Sequence, residues 1–119
     1  MRPNILLALL SSTSIATATT FTAFPTTLTC NLASGTATFT TSELESIASA
    51  GVKETPFEKS ASNTGSGRCQ KINLPYYSSD LGKGAGQLYF VYDSKAKNIE
   101  FCTADTPSLT GGYPDTCDF

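Results

Sequence analysis

The residues of this sequence with the most obvious covalent chemistry are its four cysteines, Cys30, Cys69, Cys102 and Cys117. Thiols either ligate a metal or pair as disulfides. A zinc site is disfavoured, because no two cysteines have C-x-x-C spacing and the sequence contains no histidine. Two disulfides are therefore expected. Four cysteines allow three pairings. We favour Cys30 with Cys117, which ties the two ends together, and Cys69 with Cys102, which joins two central segments expected to be strands.

Side chains suited to acid–base or nucleophilic catalysis are scarce. The absence of histidine removes the commonest general acid and base at neutral pH. Glu43 and Glu45 are the carboxylates whose spacing would place them on one element, yet they would face different sides of a helix. The sequence offers no Ser–His pair and no cluster typical of a metal site. It therefore predicts neither an enzyme nor a cofactor or metal site.

A glycine-rich segment, Gly82–Gly86, has a spacing that could bind phosphate. Such a loop has to open a helix whose N-terminus faces the phosphate. Residues 87–92 follow instead and are typical of a strand, so we do not predict a nucleotide site. Tyr76 and Tyr77 lie just before the glycines, in what we expect to be one loop over residues 76–86. They could stack on bases, anchor a protein interface, or pack over the sheet edge.

One clear helix is expected among the elements that would position these residues. Ser42 followed by Glu45 matches a capping box, in which each side chain bonds the other's backbone N–H. Gly51 stands where a left-handed residue ends a helix. The pattern predicts a helix over residues 43–50. Its buried face would carry Leu44, Ile47 and Ala48.

The rest of the chain predicts strands and loops. Expected strands cover residues 69–74, 88–92 and 99–103, with a turn at 93–98 that joins the last two into a hairpin. The apolar run 88–92 is typical of a strand that is covered on both faces. Residues 53–68 predict an exposed loop. One helix followed by several strands indicates an α+β fold, with the helix packed on a central antiparallel sheet.

The N-terminal segment predicts export. Arg2 precedes the apolar run Ile5–Leu10, and Ala16-Thr17-Ala18 matches a small-residue cleavage pattern. The run is too short to span a bilayer. We therefore expect residues 1–18 to be a signal peptide and residues 19–119 to form a single secreted, extracellular domain. Disulfides persist in the extracellular environment.

The net charge of the chain disfavours two classes of partner, nucleic acids and membranes. Eight Lys and Arg residues against ten Asp and Glu residues give a formal net charge of −2. Proteins that bind nucleic acid through phosphates normally carry a basic surplus, and so do membrane-active proteins. We expect no membrane partner, and only a thin basic patch from Arg68 to Lys71 is available to RNA.

The order of elements and several short motifs resemble the small secreted fungal guanyl-specific ribonucleases and the ribonuclease-like effectors of plant-pathogenic fungi. The likeness lies in Cys30 near the start of the expected domain, a helix soon after it, and the terminal Cys117. Between them, Asn73-Leu74-Pro75 is similar to the family's acid-x-proline element, and residues 86–93 are similar to its glycine-to-strand element. The resemblance implies a microbial ribonuclease-like fold for residues 19–119.

The same resemblance implies that the catalytic groups are missing. Asn73 stands at the position that resembles the catalytic glutamate, and Tyr89 stands where an arginine would steady phosphate charge. Asp105 lies near the place of the acid histidine. One carboxylate without a placed base supplies little acid–base catalysis, so we expect no ribonuclease activity.

The function implied is that of a secreted, catalytically inactive ribonuclease-like effector of a plant-associated fungus, which binds a host protein or host RNA. The acidic balance favours a protein, met either outside the host cell or after translocation into it. Two alternatives stay open: an active secreted nuclease or hydrolase with a non-standard site, and a disulfide-stapled antimicrobial or toxin protein. The candidate binding surface comprises Arg68, Lys71, Tyr76, Tyr77 and Tyr89.

Overall fold

The computed structural model of the protein describes residues 18–64 and 67–119, so the expected signal peptide lies outside the described residues except for Ala18. The helix α1 covers Thr41–Gly51, and two short 3-10 turns cover Ala61–Asn63 and Gly67–Cys69. The strands are β1 Thr20–Thr22, β2 Thr27–Leu32, β3 Gly35–Thr40, β4 Tyr76–Asp80, β5 Gln87–Asp93, β6 Asn98–Thr106 and β7 Asp115–Thr116.

The central sheet has the strand order β1-β6-β5-β4, and the short β7 also pairs with β6. The pairs β4–β5 and β5–β6 are antiparallel, as expected for the hairpin. β1 is parallel to β6, so the sheet is mixed: its central strands pair antiparallel as predicted, and β1 adds one parallel edge. Parallel pairing is open to β1 because most of the domain, and not a tight turn, connects it to β6. β2 and β3 form a separate antiparallel hairpin.

The helix begins two residues earlier than its sequence pattern predicts. Thr40 is its N-cap: its hydroxyl oxygen accepts from the Glu43 N–H at 3.2 Å, and the Glu43 carboxylate accepts from the Thr40 N–H at 2.8 Å. The capping box is therefore Thr40 with Glu43, and the predicted box of Ser42 with Glu45 is wrong. Both pairs have the required spacing. Thr40 ends β3 and already has the extended backbone that an N-cap needs.

The last residue of the helix, Gly51, is a glycine because a side chain there would collide with the sheet. It has no positive φ, so the predicted left-handed conformation is wrong. A Cβ at this position would collide with the Ser79 hydroxyl and with the Phe90 ring. Glycine therefore lets the end of α1 lie directly against β4 and β5.

The main core lies between α1, the β2–β3 hairpin and one face of the central sheet. Leu44 and Ala48 of the helix are fully buried, and Ile47 is half-buried against them. Tyr77 of β4 stacks on Phe90 of β5, with ring centroids 5.5 Å apart and planes 4° from parallel. The other large buried members are Leu28, Phe39, Leu88, Ile99 and Phe101.

A second, smaller core lies on the opposite face of the sheet. Its buried members are Ala61, Cys69, Tyr76, Val91 and Cys102. Successive residues of β5 alternate between the two cores, with Phe90 in the first and Val91 in the second. The prediction that this strand is covered on both faces is confirmed.

The four cysteines pair as Cys30–Cys117 and Cys69–Cys102, the pairing favoured from the sequence. Cys69, however, ends the 3-10 turn Gly67–Cys69, and residues 70–75 do not form the predicted strand. The carbonyls of this segment form hydrogen bonds with a turn instead of a strand. The Leu74 and Ile72 carbonyls accept from the N–H groups of Ala61 and Ser62, so these two carbonyls are unavailable to a neighbouring strand.

Two segments expected to be loops are held by β4. Tyr76 and Tyr77 begin that strand and do not lie in a loop. The strand in turn anchors the segment 53–64, because the N–H groups of Phe57 and Glu58 both donate to the Tyr76 carbonyl, at 2.8 and 3.1 Å. Ala61 is fully buried, so the predicted exposed loop is only partly exposed.

Candidate functional site

An open cleft of about 800 Å³ lies over the second core, on the face of the sheet away from α1. Side chains of β4, β5 and β6 form its floor, including Tyr76, Tyr89 and Asp105. The segment carrying Phe57 and Glu58 forms one wall. We call this site the aromatic–acidic cleft and define it by these five residues.

Four aromatic residues line the cleft, and three of them, Tyr76, Tyr89 and Phe57, contact one another. Tyr76 and Tyr89 stack with centroids 5.6 Å apart and planes 11° from parallel. They meet because Tyr76 pairs with Val91 and Tyr89 pairs with Ser78, which makes the two tyrosines diagonal neighbours on one face. Phe57 lies against both rings, at 6.2 and 6.3 Å, with 66% of its surface exposed. The cleft therefore presents a large apolar surface that solvent can reach.

A half-buried carboxylate lies beside these rings. The Tyr89 hydroxyl is 3.5 Å from Oδ1 of Asp105, the length of a weak hydrogen bond in which the hydroxyl donates. Burial raises the pKa of Asp105, and the Tyr89 hydroxyl opposes this only in part. Burial, followed by the negative charge of Asp105, raises the pKa of Tyr89. Asp105 is thus partly removed from water and has only a weak hydrogen-bond partner.

Gly86 allows β6 to bring Asp105 to this position. Its φ is +122°, and a Cβ there would collide with the Asp105 carbonyl and approach the Thr106 backbone. One glycine of the segment that could have indicated a phosphate loop, Gly86, therefore serves a close contact between backbones. No helix follows it, since the next element is β5.

Glu58 supplies a second carboxylate in the wall of the cleft. Its oxygen Oε1 accepts from Asn63 Nδ2 at 3.1 Å and from the Lys59 N–H at 2.8 Å. The hydrogen bond from Asn63, followed by that from Lys59, lowers the pKa of Glu58. This carboxylate is consequently ionised at neutral pH.

Arg68 is the cation that lines the described part of the cleft, and Glu100 engages it. Nη2 and Nε of Arg68 lie 3.0 and 3.3 Å from the same Glu100 oxygen. Half-exposed pairs of this kind add little to stability. Their effect here is on local charge, because Glu100 offsets Arg68 while Glu58 and Asp105 leave the cleft acidic.

No protein-family model, curated protein or solved structure matches this chain. Over residues 18–64 and 67–119, no helix is long and apolar enough to cross a membrane. The same residues contain no group of three or more His, Cys, Asp or Glu side chains placed to hold a metal ion.

The structure brings together three of the five residues of the predicted binding surface. Arg68, Tyr76 and Tyr89 all line the cleft. Tyr77 lies in the main core on the other face, only 7% exposed and stacked on Phe90. Lys71 is exposed in the turn after Cys69 and does not line the cleft.

Of the three positions identified by the family resemblance, two line the cleft and one does not. Tyr89 and Asp105 face the cleft and contact each other. Asn73 is exposed in the irregular segment 70–75 and is not part of the cleft lining. The family resemblance identifies Asp105 only as lying near the expected place of the acid histidine. In the structure Asp105 is more central to the cleft than Asn73, because it lines the cleft and contacts Tyr89.

Sequence reasoning missed Phe57 and Glu58, which lie in the segment expected to be an exposed loop. Nothing periodic marks them. The one available signal is an aromatic residue directly after Pro56 within an otherwise polar and charged run. An isolated aromatic residue in such a run suggests that the segment docks on a surface.

A second cleft of similar volume, about 790 Å³, runs between α1 and β1. Its charged groups are one carboxylate, Glu45, and one ammonium, Lys53, and its remaining polar groups include several serine and threonine hydroxyls. Among the described residues it contains no stacked aromatic pair. The aromatic–acidic cleft is the stronger candidate because rings and carboxylates converge there.

Proposed function

We propose that the protein is a secreted, catalytically inactive ribonuclease-like effector of a plant-associated fungus, which binds a host protein through the aromatic–acidic cleft. A ribonuclease-like scaffold is supported by a helix that precedes and packs on the antiparallel strands β4, β5 and β6. The Cys30–Cys117 disulfide, which joins the two ends, supports it as well. Two disulfides accord with an extracellular destination.

The observation that carries the proposal is the chemistry of the cleft floor. RNA cleavage by a 2′-hydroxyl needs a base, an acid and a cation that stabilises the charge on phosphorus. The cleft instead offers Tyr89 and Asp105 in contact, and its cation Arg68 is held by Glu100. Histidine is absent from the whole sequence.

A protein partner suits this surface better than RNA. Phosphate groups would meet the negative charges of Glu58 and Asp105, and nucleic-acid affinity depends mainly on cationic contacts to phosphates. Aromatic side chains are among the residues that contribute most to protein interfaces. The exposed ring of Phe57 and the fixed ring of Tyr89 fit that role.

The test uses the oxidised, secreted protein in two assays. An RNA digestion assay at several pH values should show no turnover, with an active fungal guanyl-specific ribonuclease as the positive control. Affinity capture from host tissue should recover a protein whose direct binding is then measured with both partners purified. That binding should be lost in Phe57→Ala and kept in Tyr113→Ala, a matched change at an aromatic residue that is 93% exposed and does not line the cleft.

RNA turnover that disappears on Asp105→Asn would overturn the proposal. So would a host partner whose binding is the same for wild type and Phe57→Ala. Either result would place the function outside protein binding by this cleft.

A second candidate function, a hydrolase with a non-standard site, is favoured by one observation. The pKa of Asp105 is raised and that of Glu58 is lowered within one cleft, and opposed shifts are typical of acid and base pairs. Against it, Glu58 already accepts two bonds from its own segment. Glycan cleavage with a bell-shaped pH profile, abolished by Glu58→Gln and by Asp105→Asn separately, would favour the hydrolase.

A further inference from the structure

We infer that the aromatic–acidic cleft binds a cationic side chain, an arginine presented by an exposed segment of the partner protein. The inference rests on the proposed binding function and names the chemistry of its ligand. It follows from three features of the cleft: the ring faces, the carboxylate beside them, and the sign of the surrounding charge.

The rings provide a surface for a planar cation. Tyr76 is only 2% exposed and stacks on Tyr89, which fixes the orientation of the Tyr89 ring. Phe57 and Tyr89 lie 6.3 Å apart with planes at 64°, so their rings form a corner and not a closed slot. A cation within about 6 Å of a ring centroid is attracted by the electron-rich face. A guanidinium can stack on one ring and direct its N–H groups past the edge of the other.

Asp105 provides the counter-charge beside the Tyr89 ring. Among the residues that the structure describes, the weak bond from the Tyr89 hydroxyl is the one hydrogen bond its side chain receives. A carboxylate that is partly withdrawn from water and so weakly bonded is stabilised when a cation or a strong donor joins it. An arginine stacked on Tyr89 would bring two N–H groups to this carboxylate, in the paired geometry that guanidinium and carboxylate favour.

The same three-part arrangement is complete elsewhere in the molecule. Lys83 Nζ lies 4.4 Å from the centroid of the Phe39 ring and 3.9 Å from a Glu43 oxygen. It also donates to the Thr38 carbonyl at 2.8 Å. In the cleft the ring and the carboxylate are in place, and the lining cation Arg68 is engaged by Glu100. A cation from another molecule would complete the arrangement there.

Arginine fits this site better than lysine or a phosphate ligand. Its planar, weakly hydrated head stacks on rings and pairs with a carboxylate at the same time, whereas an ammonium group keeps its hydration shell more strongly. Glu58 and Asp105 outnumber Arg68 in the lining, so the local field attracts cations and repels phosphates.

The test measures binding of short blocked peptides to the full oxidised protein by NMR chemical-shift titration. The probe is acetyl-Gly-Gly-Arg-Gly-Gly-amide, and the matched control replaces arginine with citrulline, which has the same shape and no charge. The lysine peptide and a guanosine-containing RNA tetramer are measured in parallel. We expect the arginine peptide to bind about tenfold more tightly than the citrulline peptide, with shifts centred on Tyr89 and Asp105.

Two variants, each with a control, locate the site. Asp105→Asn should weaken binding of the arginine peptide about tenfold, while Asp93→Asn at the end of β5 should leave it unchanged. Phe57→Ala should weaken it about threefold or more, while Tyr113→Ala should not. Backbone spectra of all four variants show whether each is folded as the wild type.

Equal binding of the arginine and citrulline peptides overturns the inference, as do shifts that map away from the cleft. Saturable binding of the RNA tetramer at the cleft, with none of the arginine peptide, also overturns it and favours the nucleic-acid alternative. If a host protein binds in a Phe57-dependent way but the arginine peptide does not compete with it, the inference fails while the proposed function stands. RNA turnover at the cleft would instead remove the proposed function itself.

Discussion

The two faces of the central sheet carry nearly the same aromatic pair in different surroundings. Tyr77 stacks on Phe90 at 5.5 Å and 4°, on the face covered by α1. Tyr76 stacks on Tyr89 at 5.6 Å and 11°, on the face of the cleft. The four rings belong to adjacent residues of the same two strands, so a single register of β4 and β5 produces both pairs.

The difference lies in what covers each pair. The helix and the β2–β3 hairpin close over Tyr77 and Phe90 with apolar side chains. Tyr76 and Tyr89 belong to the smaller second core, and the ring that lies against both of them, Phe57, is largely exposed, with a carboxylate on the floor of the cleft beside them. One face is thus built for burial, and the other leaves a polar, accessible space next to ordered rings.

Each face also has its own disulfide. Cys30 and Cys117 belong to the main core, whereas Cys69 and Cys102 belong to the core beneath the cleft. Cys102 lines the cleft directly, and Arg68 stands next to Cys69 in the chain. We therefore expect the two crosslinks to differ more in their effect on binding than in their effect on stability.

The largest expected effects come from removing these crosslinks. The Cys30→Ala, Cys117→Ala variant should lose about 4 to 5 kcal/mol of unfolding free energy, because the bridge closes a loop with a sequence separation of 87. The Cys69→Ala, Cys102→Ala variant should lose about 4 kcal/mol, since its separation is 33. Urea denaturation at constant pH measures both.

Peptide binding separates the two variants further. Where both are folded, the variant without Cys69–Cys102 should bind the arginine peptide more weakly than wild type, and the variant without Cys30–Cys117 should not. The opposite result would show that the two faces are not independent.

Truncating one ring of each pair is the next test. Phe90→Ala removes a fully buried ring and should cost about 3 to 5 kcal/mol. Tyr89→Ala removes a half-buried ring and one stacking contact, and should cost about 2 kcal/mol. The arginine peptide should lose binding to Tyr89→Ala. Urea denaturation measures both losses. Equal losses would mean that the Tyr76–Tyr89 pair contributes as much to the stability of the fold as the Tyr77–Phe90 pair.

Much of the helix-side face could be predicted from the sequence, because local patterns determine it. The period of the apolar residues in α1, the hydrophobic run of β5 and the β5–β6 turn all act over a few residues. The cap was misplaced by two residues because Thr40 and Ser42 both begin a valid capping box, and only the end of β3 decides between them.

The cleft was harder to predict, because distant segments build it. Phe57 and Glu58 reach it through backbone bonds to Tyr76, which lies about twenty residues further along the chain. Residues 69–74 are predicted to be a strand, yet the Ile72 and Leu74 carbonyls accept from the turn at 61–62 and not from a neighbouring strand. The backbone at Asp105 lies close to Gly86, where a Cβ would collide with it. No local period in the sequence records such contacts.

A smaller effect is expected at Gly51, where the helix meets the covered face. An alanine at an ordinary helical position is more stable than glycine by about 0.5 to 1 kcal/mol. Here Gly51→Ala should instead cost about 1 to 3 kcal/mol, because its Cβ would meet the Ser79 hydroxyl and the Phe90 ring. The same change in a Ser79→Ala background should cost less, since the nearest obstructing atom is gone. A gain in stability in the wild-type background would show that the helix end is not confined.

The smallest expected effect is a gain in stability, whereas the changes above all reduce it, and it comes from replacing Asp105 in the cleft. The folded protein raises the pKa of Asp105 through burial, so this group's contribution to stability is present below its unfolded pKa and is lost as pH rises through the folded value. At neutral pH the charged side chain is therefore a cost, although exposure to water screens it. Asp105→Asn keeps an acceptor for the Tyr89 hydroxyl and should raise the free energy of unfolding at pH 7 by less than about 1 kcal/mol.

That gain should disappear at acidic pH, where wild-type Asp105 is itself protonated, and urea denaturation at both pH values measures it. Tyr89, Glu58 and Arg68 line the cleft in both the wild type and the variant, so a difference between the two proteins at each pH is assigned to position 105. Asp93→Asn is the control, because Asp93 accepts two backbone N–H bonds at 3.1 Å and should give no gain. A residue whose replacement stabilises the fold but weakens binding is retained for its ligand, whereas a loss of stability at pH 7 would make Asp105 a structural residue like those of the covered face.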